Sequence, residues 1–225
     1  MTSFFRFPHT PHLTWLGPGS PRGDKVLTQE EALAFLDGEV LVEEKLDGAN
    51  LGVSLSVRGH LCFQNRGQYL EEPYSGQFAR LQSWLSVHEE RLISCLKPDL
   101  IVFGEWCAAK HSLAYSDLPD WLLVFDVYDR KQQRFWSRSR REGLASELGM
   151  SSVPKIYEGL ISLGELVRLL DTAPSRYRKG PPEGIVVRRD EGAWCNSRAK
   201  LVRSDFVQAI DSHWRSRSIE WNRLR

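Results

Sequence analysis

Two apolar runs bracket a knot of charge early in this chain, and that junction limits the folds open to it. Val40-Leu41-Val42 reads as a buried strand, and the alternation Leu51, Val53, Leu55, Val57 as a half-buried one. Between them lies Glu43-Glu44-Lys45-Leu46-Asp47-Gly48-Ala49-Asn50: one lysine, three carboxylates, and a glycine that lets backbone come close to a ligand. Burial disfavours a charged lysine, so an ammonium placed among strands needs partners. Either Lys45 is half of a partly buried ion pair with a neighbouring glutamate, or it is a reactive amine facing a cleft.

The 225 residues suffice for one sizeable domain, and 41% hydrophobic with 26% charged residues is ordinary for a globular protein. A formal charge of +1 gives no global field for a polyanion, so any nucleic-acid contact must come from local patches. Cys62, Cys95, Cys107 and Cys195 are widely spaced with no C-x-x-C pair, which favours free thiols in a reducing compartment. No apolar run approaches the ~20 residues of a membrane span. The first residues lack the basic-then-apolar order of a signal peptide, so the cytoplasm is the expected location.

Residues 1–24, rich in Pro and Gly, read as an extended arm. Gly17-Pro18-Gly19-Ser20-Pro21-Arg22-Gly23 lacks the spacing of a phosphate loop, and His9 and His12 lack companions for a metal site. Thr28 and Glu31 stand at capping-box spacing before a helix that Gly38 stops. Arg58-Gly59 is the turn of a hairpin into residues 61–66, and Phe78, Leu81, Leu85, Leu92 and Leu96 space a helix over 76–96. Residues 100–106 and 121–128 read as buried strands, 160–170 as helix, and 184–189 and 199–202 as late strands. Residues 130–141 hold Arg130, Lys131, Arg134, Arg138, Arg140 and Arg141 with no acid, either a solvated face or a polyanion contact. From Asp205 onward the chain reads as helix, basic again at Arg215, Arg217, Arg223 and Arg225. Strands and helices do not alternate regularly, which favours an α+β fold of mostly antiparallel sheets flanked by helices.

Almost every interior-looking strand carries ionisable residues in or beside its apolar run: Lys45 and Asp47, Glu105, Asp126, Glu183, Lys200. Burying these singly would be prohibitive, so they must face one another or a wet cleft. Two lysines with several carboxylates suit a nucleoside triphosphate and a divalent cation.

Lys45-Leu46-Asp47-Gly48 resembles the K-x-D-G motif of the covalent nucleotidyltransferases: ATP-dependent DNA and RNA ligases and capping guanylyltransferases. The later motifs resemble theirs in order: Asn65-Arg66-Gly67, Phe103-Gly104-Glu105, Val124-Phe125-Asp126-Val127-Tyr128, Glu183-Gly184-Ile185-Val186-Val187-Arg188, and Arg198-Ala199-Lys200-Leu201-Val202. The wording is closest to RNA ligases of the phage T4 type-2 kind, through residues 44–50 and 104–112. The resemblance implies a nucleotidyltransferase domain of ATP-grasp-like character, with Lys45 taking AMP from ATP and passing it to an RNA 5′-phosphate that a 3′-OH then attacks. It implies that Lys200 and Arg198 serve catalysis and that Glu44, Lys45, Asp47, Gly48, Arg66, Glu105, Phe125, Glu183 and Lys200 bind the nucleotide. Phe125 would stack on the base, Glu105 is a candidate for the ribose, and Arg66 would contact ribose or the 3′-OH end. Asp47, Glu105 and Glu183 would organise Mg²⁺ (or Mn²⁺). Lysine attacks only as the free amine, so cations beside Lys45, namely Lys200 and Arg198, are expected to lower its pKa.

Arg198 departs from the family's lysine, and the two cations differ in geometry. Only 25 residues follow Lys200, too few for the OB-fold that DNA ligases and capping enzymes carry there. The expectation is therefore one ligase domain over 1–225, with residues 1–24 an arm and 205–225 a basic helical tail. Residues 130–141, the arm or a helper protein would supply the missing clamp on RNA. Three further readings stay open: transfer of a nucleotide to ends without sealing, a DNA ligase, and an RNA-end binding module without catalysis.

Overall fold

The computed structural model describes residues 4–19, 21, 23–209 and 218–225. The helix α1 (Gln29–Leu36) begins at the Thr28 cap, where the Thr28–Glu31 capping box forms in both directions. The strands β1 (Val40–Lys45), β2 (Ala49–Leu55) and β3 (Leu61–Gln64) follow. A short 3₁₀ turn at Gly76–Phe78 precedes α2 (Leu81–Cys95), so the helix expected over 76–96 starts five residues late. Next come β4 (Leu100–Trp106), β5 (Leu122–Asp129), β6 (Arg134–Trp136), α3 (Arg138–Glu147), β7 (Ser151–Ser152), β8 (Lys155–Gly159) and α4 (Leu163–Thr172). A hairpin of β9 (Gly184–Glu191) and β10 (Trp194–Val202) turns at Gly192, whose φ of 56° suits glycine, and α5 (Ser204–Ala209) follows.

These strands make one sheet in the order β3-β2-β4-β5-β6-β10-β9-β1-β8, with β7 beside β5. Every pairing is antiparallel except β5 with β7. Along that order β1 and β2 stand six places apart, about 29 Å in a flat sheet at ~4.8 Å per strand. Yet Leu46, Asp47 and Gly48 alone join them, and four Cα steps reach at most about 15 Å. The sheet must therefore curl until its two halves face each other, and the K-x-D-G segment is the tie between them.

Period-two alternation divides the two faces of this curl. Outward, Leu51, Val53, Val102 and Val124 pack under α2 and α3 in one core, and Val40, Val42, Ile185, Val187, Ala199 and Leu201 pack with α1 and α4 residues in another. Inward, Ile101 and Phe103 gather the rings of Phe5, Phe7, Phe125, Tyr128 and Phe135. The arm thus supplies two of the aromatics that fill the concave side.

Two expectations need correction. The run 130–141 is not one charged face: it forms β6 and the start of α3, and Arg138 and Arg141 are buried. From Asp205 onward the described chain is not all helix: Ser204–Ala209 is helical, whereas residues 218–225 are not, bridging Ala109 through Trp221 and Leu118 through Leu224. Arg215 and Arg217 lie outside the described residues. The four cysteines are free thiols. No described helix is long and apolar enough to cross a membrane.

Candidate active site

The concave side holds a cavity of about 430 Å³ lined by Lys45, Glu105, Phe125, Arg66, Arg198 and Asn50 among others. Register explains the set. Glu43 and Lys45 on β1 share a face with Val186 and Arg188 on β9 and with Arg198 and Lys200 on β10. Glu44, one residue out of phase, points the other way. Its carboxylate accepts from the Ser175 hydroxyl at 2.5 Å and the Arg176 N–H at 2.9 Å, tying down the loop after α4. Burial pushes its pKa up. A register shift between β4 and β5 at Phe103/Gly104 turns both Phe125 and Asp126 toward the cavity.

Lys45 Nζ donates to both oxygens of Glu183, at 2.7 and 2.8 Å. Its side chain is about a quarter exposed, whereas that of Glu183 is almost fully buried (27% and 7%). The expected lowering of the Lys45 pKa is corrected here. Burial does push it down, but Glu183, Glu105 and Asp47 outweigh burial, and the net direction is up. Lys45 is therefore an ammonium in this state. Glu105 and Glu183 are each raised to about 7, chiefly by burial and, against the pull of Lys45, by the carboxylates around them.

Asp47 anchors a loop: its Oδ2 accepts from the N–H groups of Ser112 and Leu113, both at 2.7 Å, while its own N–H donates to Tyr115 Oη at 2.8 Å. Gly48 N–H donates to Glu105 Oε1 at 3.0 Å. A Cβ on Gly48 would sit 2.5 Å from the Trp106 carbonyl oxygen, so the glycine serves the close approach of its backbone to β4, and it also lines the cavity. Asp47, Glu105 and Glu183 do not form a ready cage. No three His, Cys, Asp or Glu side chains among the described residues converge as a metal site.

Asn65 Oδ1 accepts from the N–H groups of Gly67 and Gln68 (2.7 and 2.9 Å), a local turn that carries Arg66 into the cavity wall. Arg66 Nε and Asn50 Oδ1 are buried there without hydrogen-bond partners, as a site awaiting a polar ligand requires. Phe125 faces the cavity with Phe7 edge-on at 5.3 Å. Arg198 does not stand against Lys45; it pairs with Asp126 and lies over the Phe7 and Phe135 rings. Lys200 donates to Asp24 at 2.5 Å, and its pKa is lowered by burial and by Lys45 against the pull of Asp24.

Sequence reasoning missed the arginine network behind this wall. Glu43, 1% exposed, is bound by Arg138 and by Arg141, whose Nη2 donates at 2.6 Å. Arg188 pairs with Asp126 at 2.7 Å and reaches Glu43 at 3.8 Å. The signal available was Glu43 itself, a carboxylate in an apolar run that had to find cations. The arm residues Phe7 and Thr10, also in the lining, gave no such signal.

The concave face of this curled antiparallel sheet thus presents a carboxylate-gripped lysine beside an aromatic and unpartnered polar atoms. The family model described as RNA ligase matches residues 38–202, and the chain belongs to that family. Among solved structures it is similar to Naegleria gruberi RNA ligase with PPi, at 17% identity and a TM-score of 0.63 over 92% of this chain and 64% of that one. A mutant of that ligase with ATP and Mn aligns at 16% identity and 0.60, over 78% and 53%. Another with AMP and Mn aligns at 15% and 0.61, over 92% and 64%. This chain therefore spans less than two thirds of the length of these relatives. No curated protein matches it.

Proposed function

We propose that this protein is an ATP-dependent RNA ligase acting through a lysyl-AMP intermediate on Lys45. The observation that carries the reading is the bidentate grip of Glu183 on Lys45 at the cavity wall. An ammonium cannot attack, and Glu183, raised to about 7, is a proton acceptor in contact with it at the pH of the reaction. Lys45 gives its proton to Glu183, and its amine forms a bond to the α-phosphorus while the bond to pyrophosphate breaks. Lys200 meets phosphate charge, and Phe125 offers its ring to the base. Arg66 Nε and Asn50 Oδ1 gain the polar partners they lack. A 5′-phosphate oxygen of RNA then takes AMP from Lys45, returning the amine, and a 3′-OH attacks that activated phosphate and releases AMP.

The donor set fits a divalent cation in one respect: Glu105, half-buried, and Glu183, buried, are carboxylates raised by neighbouring negative charge, Glu105 by Glu183 and Asp47, and Glu183 by Asp47. They are the residues that would hold the ion, directly or through its waters, and it would offset charge on the triphosphate. The Naegleria ligase structures with ATP and Mn support the same pairing of nucleotide and metal. Lys131 and Arg134 stay exposed on β6 and its turn, with Arg134 over Trp194, and are the most exposed cations of the 130–141 run to meet RNA phosphates.

The test supplies ATP, Mg²⁺ and RNA strands bearing 5′-phosphate and 3′-OH ends, nicked and single-stranded, with DNA counterparts. Joined RNA that disappears in Lys45→Ala is the expected result. Label on the protein without joined product would favour nucleotide transfer without sealing, and RNA retention without label a binding module.

A further inference from the structure

The family model covers residues 38–202, yet one wall of the cavity comes from outside that stretch. Phe7 and Thr10 line it. Beyond them the arm runs beside β10: Lys200 N–H donates to the Pro11 carbonyl at 2.9 Å, and Leu13 N–H to the Lys200 carbonyl at 2.8 Å. The chain then doubles back. His12 N–H donates to Lys25 O at 2.8 Å and Leu27 N–H to His12 O at 2.9 Å, which brings Asp24 to the same spot. Asp24 Oδ2 accepts from Lys200 Nζ at 2.5 Å, and its Oδ1 lies 2.8 Å from His9 Nδ1. His12 is buried beside them with Nε2 3.8 Å from Asp24 Oδ2 and an unpartnered Nδ1.

Two ammonium groups, Lys45 at the cavity wall and Lys200 on the same face of the sheet, repel each other. Glu183 attracts both, but its two oxygens are in contact with Lys45. Asp24 is the carboxylate in contact with Lys200. Remove its charge, and Lys200 is left in a half-desolvated place with Glu183 as the other carboxylate that attracts it. Lys200 would then compete with Lys45 for the carboxylate that both Lys45 hydrogen bonds use. A lysine side chain has four rotatable bonds and is placed only by what its ammonium touches.

We propose that Asp24, on the N-terminal arm, is a positioning residue for adenylyl transfer, holding Lys200 apart from the Lys45–Glu183 pair so that both lysines can serve one phosphate. The proposal rests on the lysyl-AMP reading above. The arm is then part of the active site and not a loop packed against it.

The experiment follows single-turnover formation of labelled protein from α-labelled ATP and Mg²⁺, over a range of ATP concentrations. It compares the wild type, Asp24→Asn, Asp24→Glu and Lys45→Ala, with rates expressed per folded molecule. Losing a charge-assisted contact to a buried cation should lower the maximal rate in Asp24→Asn about tenfold, with half-saturating ATP changed less than about threefold. Asp24→Glu should recover most of the rate. A wild-type rate in Asp24→Asn, or an equal loss in Asp24→Glu, overturns the proposal while leaving the lysyl-AMP reading intact if Lys45→Ala alone takes no label. A wild type that takes no label overturns that reading, and the proposal with it.

Discussion

Glu105 and Glu183 hold pKa values of about 7, so the site should respond to mild acid. The folded values lie above the ordinary 4.5, so the fold binds protons that the unfolded chain releases. Ionising these groups costs stability progressively as pH rises from about 4.5 to 7. Under the proposed lysyl-AMP mechanism activity runs the other way, because Glu183 would have to be ionised to accept the Lys45 proton. The single-turnover rate of lysyl-AMP formation should therefore fall toward tenfold per pH unit below about 7; a flat rate between pH 6 and 8 would contradict the role of Glu183. The identities of these residues were legible in the chain, because a carboxylate beside an apolar strand needs a partner or a cleft. The sign of the Lys45 shift was not. Sequence order names the charges near an amine but not which one touches it, and Lys200 proved to be in contact with Asp24, 176 positions away.

Among the elements, the ties between β1 and its neighbours determine whether the cavity wall stands. Glu43 on β1 meets Arg138 and Arg141 of α3 and approaches Arg188 of β9, joining both halves of the curl through one buried carboxylate. The arginines hold its pKa low against burial, so its contribution is present above about pH 4.5 and fades as pH falls through the lowered value. Glu43→Gln would leave buried guanidinium groups without their counter-charge, at a cost of about 3–5 kcal/mol. Denaturant unfolding should show that loss, and a change under about 1 kcal/mol would mean the network is incidental. Helix α1 was readable from its capping box, and the buried strands from their apolar runs. Helix α3 was hidden because its arginines resemble a solvated run; only the tertiary structure shows that Arg138 and Arg141 point inward. The hairpin at Gly192 was missed for a related reason: β10 begins with half-buried Trp194 and Cys195 followed by exposed Asn196, and no apolar alternation marks Cys195 to Ser197, where its register shifts.

At the scale of the whole molecule, three residues between β1 and β2 force the sheet to curl, and the arm fills the hollow with Phe5 and Phe7. The α+β class and antiparallel pairing followed from the irregular order of strands and helices. The curl did not, because strand order is a property of pairings that no local pattern encodes. Its consequence is that Lys45 at one end of the sheet order meets Glu105 near the other, a juxtaposition that makes sense for a nucleotide held between the two halves. The most direct measurement is peptide mapping by mass spectrometry after incubation with ATP and Mg²⁺. The account predicts one AMP attached to the peptide bearing Lys45, lost on addition of pyrophosphate and missing from Lys45→Ala. AMP carried by any other residue, or persisting in that variant, would contradict it.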